Sequence, residues 1–346
     1  MTRAAVLAGL GGWVPPRVVT NDELGRELDT SDAWIHSRTG IRRRHVVDPG
    51  TATSDLAVEA ARRALASAGT DRVDLIVLAT STPDHPCPAT APAVADRLGL
   101  NGVAAFDVAA VCSGFVYALA AASAMIGQGL AGRALVIGAD TFSTILDPAD
   151  RTTRAIFGDG AGAVVLRAGD DREPGAVLGF DLGSDGQHSD LITVAAGGSR
   201  QPATAGPVED AARYFRMRGK EVFFNAVLRM SESAQTLLRT VGWNPEEIDR
   251  FVAHQANIRI LYAVADQLGL DRRTVVANLD RVGNTVAASI PLALQDAACR
   301  GDLVPGQRVV LTGFGGGLTW GSAAIRWPDI AVEPLPTIHP DLNHSN

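Results

Sequence analysis

Apolar runs of strand length recur along this chain, and longer helical patterns separate them. The clearest runs are VDLIVLAT from Val73, ALVIGA from Ala134, IDRFVAHQ from Ile248, TVVANL from Thr274 and RVVLTGF from Arg308. Continuous apolar runs of this length are typical of strands that are buried on both faces. Two segments of helical length, which begin near Cys112 and Gly283, are apolar on nearly all sides. We therefore predict that these two helices are buried between sheets.

The order of these patterns occurs twice. AVADRLGL from Ala93 is repeated as AVADQLGL from Ala263, 170 residues later. Each copy follows one buried strand and precedes a strand, an apolar helix and a further strand. Duplicated halves of this kind favour an α/β fold with mostly parallel sheets and helices on both faces. We expect an amino-terminal half over residues 1–174, a carboxy-terminal half over 175–332 and a surface tail over 333–346.

Composition and charge exclude several classes of protein. The chain has 346 residues, of which 46% are hydrophobic, and a formal charge of −7. A general nucleic-acid binder needs a basic face that this acidic balance does not favour. No apolar stretch predicts a membrane span, and the first residues are typical of a strand, so a cytoplasmic protein is expected. The three cysteines have no paired spacing and predict free thiols rather than a disulfide framework.

Cys112 lies where a strand-like run meets the first apolar helix. Because N–H groups converge at the start of a helix, this position would favour a thiolate; an ordinary buried thiol is the alternative. The second half supplies His254 at a strand end and Asn284 at its own strand-to-helix junction. If the repeated halves face each other, Cys112 and Asn284 start equivalent helices and His254 lies nearby. The alternative for His254 is a structural role.

These residue types suit acyl transfer between thioesters. A cysteine sulfur accepts an acyl group, and the neutral N–H donors of His254 and Asn284 can stabilise an enolate as carbon dioxide departs. Gly315–Gly317 follow the last apolar run, and their N–H groups could form an oxyanion hole over an acylated Cys112. A tight structural turn is the alternative for these glycines.

Six ordered motifs resemble the β-ketoacyl-acyl-carrier-protein synthase III family over nearly the whole chain, from Val6 to Trp327. The motifs are WIHSRTGI from Trp34, DVAAVCSGF from Asp107, FGDGAGA from Phe157, HQANIRI from His254, GNTVAASIP from Gly283 and FGGGLTWGSA from Phe314. The resemblance implies a homodimeric enzyme of the thiolase fold, a five-layered αβαβα sandwich. It further implies that an acyl primer passes from acyl-coenzyme A to the enzyme and condenses with malonyl-acyl carrier protein, with neither a cofactor nor a metal.

The same resemblance assigns the reacting residues. Cys112 would be the nucleophile, and His254 and Asn284 would hold the malonyl thioester and its enolate. The N–H groups of Cys112 and Gly316 would form the oxyanion hole, and Phe157 would stand beside the acyl group. The resemblance implies that this condensation starts fatty-acid or polyketide synthesis.

Binding residues also follow from the resemblance. Trp34, Arg38 and Arg151 correspond to the family's coenzyme A site, where an indole can stack on adenine and guanidinium groups meet phosphates. Without the motif, Trp34 would be a core aromatic residue. Arg259 matches a residue proposed to meet the acidic carrier protein; otherwise it would be a solvated surface charge.

The chain departs from the family pattern at two positions. Phe224 replaces a Lys that is often proposed to contact the carrier protein, so the docking surface differs there. Cys87 stands where relatives often place Phe or Thr, which reaches into the acyl pocket of the partner subunit. Because the cysteine is smaller than Phe, we hypothesise a primer larger than acetyl.

Relatives with the same fold offer competing interpretations. Thiolases generally use a second cysteine near a Gly-rich end, and GFGGGLTWG from Gly313 contains none. HQAN and FGGGLTWG resemble the motifs of chalcone-synthase-like enzymes poorly, and no obvious Glu supports a hydroxymethylglutaryl-coenzyme A synthase. Relatives that transfer acyl groups to oxygen or nitrogen often alter the His or Asn. A related acyltransferase or a starter-unit ketosynthase of a secondary-metabolite pathway stays open as the alternative.

Two other classes of function are disfavoured by context. Gly158, Gly160 and Ala163 loosely match a dinucleotide-binding motif, but the run leads into a strand-like segment where a pyrophosphate site needs a helix. A noncatalytic scaffold would not need Cys112, His254 and Asn284 together.

Overall fold

The computed structural model describes residues 3–202 and 209–336, which form two main sheets, two small two-stranded sheets and ten α-helices. The amino-terminal elements are β1 (Arg3–Trp13), β2 (Val18–Thr20), α1 (Asn21–Glu27), α2 (Asp32–Thr39), β3 (Arg43–His45), α3 (Thr53–Ser67), β4 (Leu75–Ala79), α4 (Ala91–Arg97), β5 (Ala104–Val108), α5 (Gly114–Gly127), β6 (Arg133–Asp140), α6 (Arg151–Arg154) and β7 (Gly160–Asp170). The carboxy-terminal elements are β8 (Val177–Ser184), β9 (Ile192–Val194), β10 (Phe215–Met217), α7 (Gly219–Val241), β11 (Arg250–Ala253), α8 (Ile258–Gln267), α9 (Leu279–Val282), α10 (Ser289–Cys299), β12 (Arg308–Gly315) and β13 (Thr319–Arg326). The pairs β2–β3 and β9–β10 form small ribbons beside the two main sheets.

The strand order repeats between the two main sheets. The first sheet has the order β1-β7-β6-β4-β5, and the second, counted from the matching edge, has the order β8-β13-β12-β11. The fifth strand expected from TVVANL is wrong, because only Val275 forms an isolated parallel bridge, with Phe251. The side-chain amide of Gln255 bonds to the Val276 carbonyl and to the Asn278 N–H, so a longer ladder cannot form there.

The expectation of mostly parallel sheets is also wrong. Three pairs are parallel, β4–β5, β4–β6 and β11–β12. Four are antiparallel, β1–β7, β6–β7, β12–β13 and β13–β8. The reason is local in the second sheet: β12 and β13 are joined by a three-residue turn, which allows only an antiparallel return.

Layer by layer, the elements form the predicted five-layered αβαβα sandwich of the thiolase fold. α3 packs on the first sheet and α7 on the second, each on the outer face. α5 contacts strands of both sheets, and α10 contacts β1, β7 and β11. The burial predicted for these two helices is confirmed, since one apolar cluster includes Leu119, Leu294 and strands of both sheets. Each fully buried Leu of this kind contributes about 2 kcal/mol to stability.

The chain after β13 packs along α3 of the first half and α10 of the second half. Gln295 donates a hydrogen bond to the Glu333 carbonyl, and Leu335 packs against Val14 and Leu292. Residues 337–346 of the predicted tail lie outside the described residues. We retain as a proposal the division into halves near residue 175, where the chain passes from β7 of one sheet to β8 of the other. None of the described helices combines the length and apolarity needed to cross a bilayer.

The backbone of the first half approaches that of the second half closely at Gly138 on β6. A Cβ placed on Gly138 would lie 2.3 Å from the carbonyl oxygen of Ala287, in the turn before α10. Because both partners are backbone, neither can rotate away, and only glycine permits this approach.

Replacement of Gly138 by Ala should therefore separate the halves locally. We expect Gly138→Ala to lower the free energy of unfolding by about 2 kcal/mol or more, as overpacking in a dense core does. Chemical denaturation measures the change. Gly186→Ala is the matched control, because its added Cβ would meet nothing within 4 Å. Equal stability of the two variants would contradict this account of the contact.

Candidate active site

Two strained turns lead into the central helices. The turn Val111–Ser113 precedes α5, and the turn Val286–Ala288 precedes α10. Each begins with a valine of positive φ, 46° at Val111 and 52° at Val286. A β-branched residue is rarely held in this region, at a cost of order 1–3 kcal/mol. The second residue of each turn is Cys112 in the first half and Ala287 in the second, so the predicted equivalence of Cys112 with Asn284 is wrong by three positions.

One apolar cavity brings the predicted reacting residues together. Its volume is about 50 Å³, and Cys112, His254 and Asn284 all line it. Phe157 lines the same cavity. The apolar remainder of the wall is formed by Val111, Phe142, Ile192, Phe215, Met217, Val222, Ala226, Met230, Ala256, Ile260 and Phe314.

Cys112 is buried at the start of α5. Burial raises the pKa of its thiol above the ordinary value, the Asp140 carboxylate raises it further, and the Cys112 N–H lowers it. Burial therefore opposes the thiolate that the helix start was expected to favour, and the Cys112 N–H offsets only part of this effect. Cys112 rests as a thiol.

Asp140, which ends β6, ties the two halves together beneath this cysteine. Its carboxylate accepts hydrogen bonds from the N–H groups of Ser81 at 2.7 Å and Ala287 at 3.0 Å. Burial raises the pKa of Asp140 to about 7. The turn that precedes α10 is thereby fixed to the end of the first sheet.

His254 follows β11 and is fully enclosed. Its N–H donates to the Thr312 carbonyl at 2.8 Å, and its ring Nδ1 lies 2.6 Å from Ser289 Oγ. Burial alone lowers the pKa of His254 to about 3. Its imidazole is therefore neutral at physiological pH and carries one ring proton.

Asn284 is held by backbone and side chain alike. Its N–H donates to the Ile156 carbonyl, and its own carbonyl accepts from the Gly158 N–H, each at 2.9 Å. Its Oδ1 accepts the Val286 N–H at 2.9 Å. Since Oδ1 is engaged with the turn, the Nδ2 group is the part of the amide that remains to donate into the cavity.

Glycines of the last motif lie against the backbone of Cys112. A Cβ on Gly315 would lie 2.7 Å from the Cys112 nitrogen, and one on Gly313 would lie 3.2 Å from its carbonyl oxygen. The end of β12 thus approaches the backbone of Cys112 closely. The oxyanion-hole role of the Gly316 N–H stays a prediction.

Three aromatic rings form one wall of the cavity, and only Phe157 among them was predicted from the sequence. The ring centres of Phe142, Phe157 and Phe215 are 4.7, 4.9 and 5.1 Å apart. Phe142 could have been predicted, because it follows the carboxyl end of β6, and Cys112 follows the carboxyl end of β5 in the same sheet. Nothing in the sequence pattern pointed to Phe215 on the short strand β10.

The predicted coenzyme A residues also cluster. The guanidinium carbons of Arg38 and Arg151 lie 4.5 and 5.2 Å from the centre of the Trp34 ring. The Asn257 side chain of HQAN donates to the Arg38 carbonyl at 2.9 Å, so this cluster is linked to the His254 loop. Trp34 is only partly buried, which leaves an indole between two cations at the surface.

The remaining predicted residues lie on the surface. Arg259 is exposed on α8, with its guanidinium 5.9 Å from the ring centre of Phe223 on α7. The adjacent Phe224 is 67% exposed. Cys87 is exposed in the loop before α4 and does not line the described cavity of its own chain.

Among the described residues, no group of His, Cys, Asp and Glu could hold a metal ion.

The dinucleotide alternative fails on structure as well as on sequence. Gly160 begins β7 rather than a helix, so no helix start lies beside the glycines. Asp159 between them is buried and accepts hydrogen bonds from Val47 and Ser143. Instead of binding a dinucleotide, Asp159 fixes the loop that carries Phe157.

Comparison with known proteins supports the geometry. Residues 106–186 match the family described as 3-oxoacyl-[acyl-carrier-protein] synthase III, and residues 238–327 match its carboxy-terminal part. The chain is 66% identical, over 96% of its length and 100% of the relative, to β-ketoacyl-[acyl-carrier-protein] synthase III 5 of Streptomyces coelicolor. The chain belongs to the β-ketoacyl-acyl-carrier-protein synthase III family. This synthase is thus a condensing acyltransferase. The family that the six motifs predicted is confirmed.

Solved structures agree. The synthase superposes on 3-oxoacyl-(acyl carrier protein) synthase III from Pseudomonas aeruginosa with a TM-score of 0.89, 57% identity, and coverage of 95% of this chain and 100% of that one. It also resembles the priming β-ketosynthase of a polyketide biosynthetic pathway, with a TM-score of 0.88, 32% identity, and coverage of 95% and 97%. Membership of the family sets aside the thiolase, chalcone-synthase-like and scaffold interpretations.

The buried state of His254 has a consequence for pH. A pKa of about 3 in the fold, below the ordinary 6.5, means that the unfolded chain binds a proton here that the folded chain does not. This residue therefore reduces stability as pH falls below about 6.5, and its ring stays neutral from pH 5 to 8. NMR of histidine-labelled protein should show a His254 resonance that is constant across that range. A midpoint near pH 6.5 would contradict the enclosed site.

Proposed function

We propose that the synthase loads an acyl primer from acyl-coenzyme A onto Cys112 and condenses it with malonyl-acyl carrier protein. The observation that carries this proposal is the convergence of Cys112, His254 and Asn284 on one apolar cavity. The product is a 3-oxoacyl-carrier protein, which starts fatty-acid or polyketide synthesis.

In the first half-reaction, the Cys112 sulfur attacks the thioester carbonyl. The sulfur of coenzyme A leaves, and the proton lost by the Cys112 thiol balances the one gained by the departing thiol. The N–H groups of Cys112 and Gly316 would receive the negative oxygen of the tetrahedral intermediate.

In the second half-reaction, the bond between the malonyl methylene carbon and its carboxylate breaks. Carbon dioxide leaves, and the electron pair forms an enolate whose oxygen accepts hydrogen bonds from His254 and Asn284. The enolate carbon attacks the acyl carbonyl, and the bond from that carbonyl to the Cys112 sulfur breaks. The expelled thiolate then takes up one proton from water, which restores the resting thiol. A neutral His254 suits this role, because a donor is needed rather than a base. The thioesters supply all reacting groups, so no cofactor takes part.

Residues on the surface would bind the coenzyme A and the carrier protein. Trp34, flanked by Arg38 and Arg151, suits an adenine ring with neighbouring phosphates. Arg259 suits the acidic carrier protein, and Phe224 would replace a charge contact there by an apolar one. A cytoplasmic location is part of the proposal and is consistent with three free cysteines, one of them the nucleophile.

Mass spectrometry of the intact protein tests the central assignment. After incubation with a panel of acyl-coenzyme A thioesters, the synthase should gain one acyl group, and Cys112→Ala should gain none. Asn284→Ala should still be acylated but should release carbon dioxide from malonyl-carrier protein at least 100-fold more slowly, the usual cost of a lost oxyanion donor. Acylation of Cys112→Ala would refute the assignment of the nucleophile.

A homodimer formed through β5 would complete the acyl pocket. β5 is an edge strand of the first sheet, and its Phe106 and Val108 pack against the central apolar cluster. An open edge of this kind can pair with the same strand of a second copy. Asp107 on β5 accepts the N–H groups of Thr90 and Ala91 at 2.7 and 2.8 Å, so it fixes the Cys87 loop beside that edge.

This arrangement links Cys87 to the size of the primer. We expect Cys87→Phe to lower turnover with branched and longer primers relative to acetyl-coenzyme A, because the larger ring would fill the partner's pocket. Kinetics with the panel of primers measures the ratio, and light scattering confirms a dimer in both proteins. Strict acetyl preference of the unmodified synthase would remove the hypothesis. Long or aromatic primers would favour the polyketide starter-unit alternative.

A further inference from the structure

Ser289, the first residue of α10, faces the inner ring nitrogen of His254. Ser289 Oγ and His254 Nδ1 are 2.6 Å apart. Both side chains are buried, with 1% and 3% of their surface exposed. A neutral imidazole carries its proton on one of two nitrogens, so either partner could be the donor. The direction of this hydrogen bond decides whether the other ring nitrogen is a donor or an acceptor.

The surroundings of Ser289 favour one direction. The N–H of Gln255 reaches Ser289 Oγ at 3.4 Å. If His254 Nδ1–H also donated to this oxygen, the hydroxyl proton would need an acceptor elsewhere. Within residues 3–202 and 209–336, Ser289 Oγ has no hydrogen-bond partner other than His254 and Gln255. A buried hydroxyl proton without an acceptor is unfavourable, whereas donation to Nδ1 satisfies both groups.

Gln255 holds its N–H in place for this contact. Its side-chain Nε2 donates to the carbonyls of Ala253 at 2.7 Å and Val276 at 3.1 Å. Its Oε1 accepts the Asn278 N–H at 3.0 Å. The fully buried glutamine of HQAN therefore fixes the backbone that carries both His254 and the N–H directed at Ser289.

We propose that Ser289 is a positioning residue that donates its hydroxyl proton to His254 Nδ1 and so keeps the ring proton on Nε2. Nδ1 is engaged by Ser289, which leaves Nε2 as the nitrogen available to the cavity. An Nε2–H group can donate to an enolate oxygen together with Asn284, whereas a bare Nε2 would repel it. The catalytic part of this inference rests on the proposed condensation; the assignment of the ring proton does not.

The ring proton can be observed directly in the unmodified protein. With ¹⁵N-labelled histidine, NMR correlation of the ring nitrogens at neutral pH should show the proton of His254 on Nε2 and an unprotonated Nδ1. A proton on Nδ1 would overturn the inference, whatever reaction the protein catalyses. This measurement needs no variant and so does not depend on the folding of one.

Removal of the hydroxyl tests its consequence for the reaction. In Ser289→Ala neither tautomer finds a partner at Nδ1, so the population with Nε2–H should fall. We expect acylation of Cys112 by acyl-coenzyme A to stay within about twofold and carbon dioxide release from malonyl-carrier protein to fall roughly tenfold or more. Ser233→Ala, which removes another buried hydroxyl that bonds to Ser322, is the matched control and should keep both rates.

The outcomes separate this inference from the proposed function. Wild-type condensation by Ser289→Ala would overturn the positioning role. An equal loss of acylation and condensation would also overturn it, because the effect would then not act through His254. If the unmodified protein accepts no acyl group from any primer, the proposed function fails, and the NMR result still decides where the ring proton lies.

Discussion

Burial of two helix starts between two sheets is the constraint on which the site depends. α5 and α10 are apolar on nearly all sides and fill the middle layer, and their first residues meet at the ends of β6 and β11. Asp140 and Gly138 lock the turn before α10 against the first sheet. The turns before both helices hold a valine at positive φ, Val111 and Val286, a conformation that persists only where the surrounding structure imposes it.

The same burial sets the charge state of the reacting groups. Loss of solvent raises the pKa of the Cys112 thiol and lowers that of His254, so both are neutral at rest. In the proposed reaction, negative charge develops on the substrate oxygens and on the leaving sulfur, and the predicted N–H donors would surround the oxygens. In a dry site such donors stabilise a developing charge strongly, and they need no rearrangement during the reaction. A neutral resting site is therefore compatible with condensation between thioesters.

The sequence predicted most of this architecture, because its main signals are local. Continuous apolar runs identified β4, β6, β11 and β12, and the repeated AVAD segments revealed the duplication. Strand direction was not predictable in the same way, since it depends on how the chain returns after each strand. TVVANL was mistaken for a strand because the competing partner, the side chain of Gln255, is about twenty residues away.

At the site too, residues marked by a local sequence pattern were predicted, and residues whose partners are distant in the chain were not. Cys112, His254 and Asn284 were found because each follows a recognisable junction. Phe142, Phe215 and Ser289 were missed, because their roles come from partners far away in the chain. The electrostatic state of Cys112 was also missed, since a helix start is visible in a sequence but the degree of desolvation is not.

A crystal structure of the acylated protein with an inert malonyl-pantetheine analogue would show whether these residues surround the reacting groups. The acyl carbonyl oxygen should lie against the N–H groups of Cys112 and Gly316. The thioester oxygen of the analogue should lie about 3 Å from both His254 Nε2 and Asn284 Nδ2. An analogue bound outside the cavity, or one whose thioester oxygen contacts neither side chain, would contradict this arrangement.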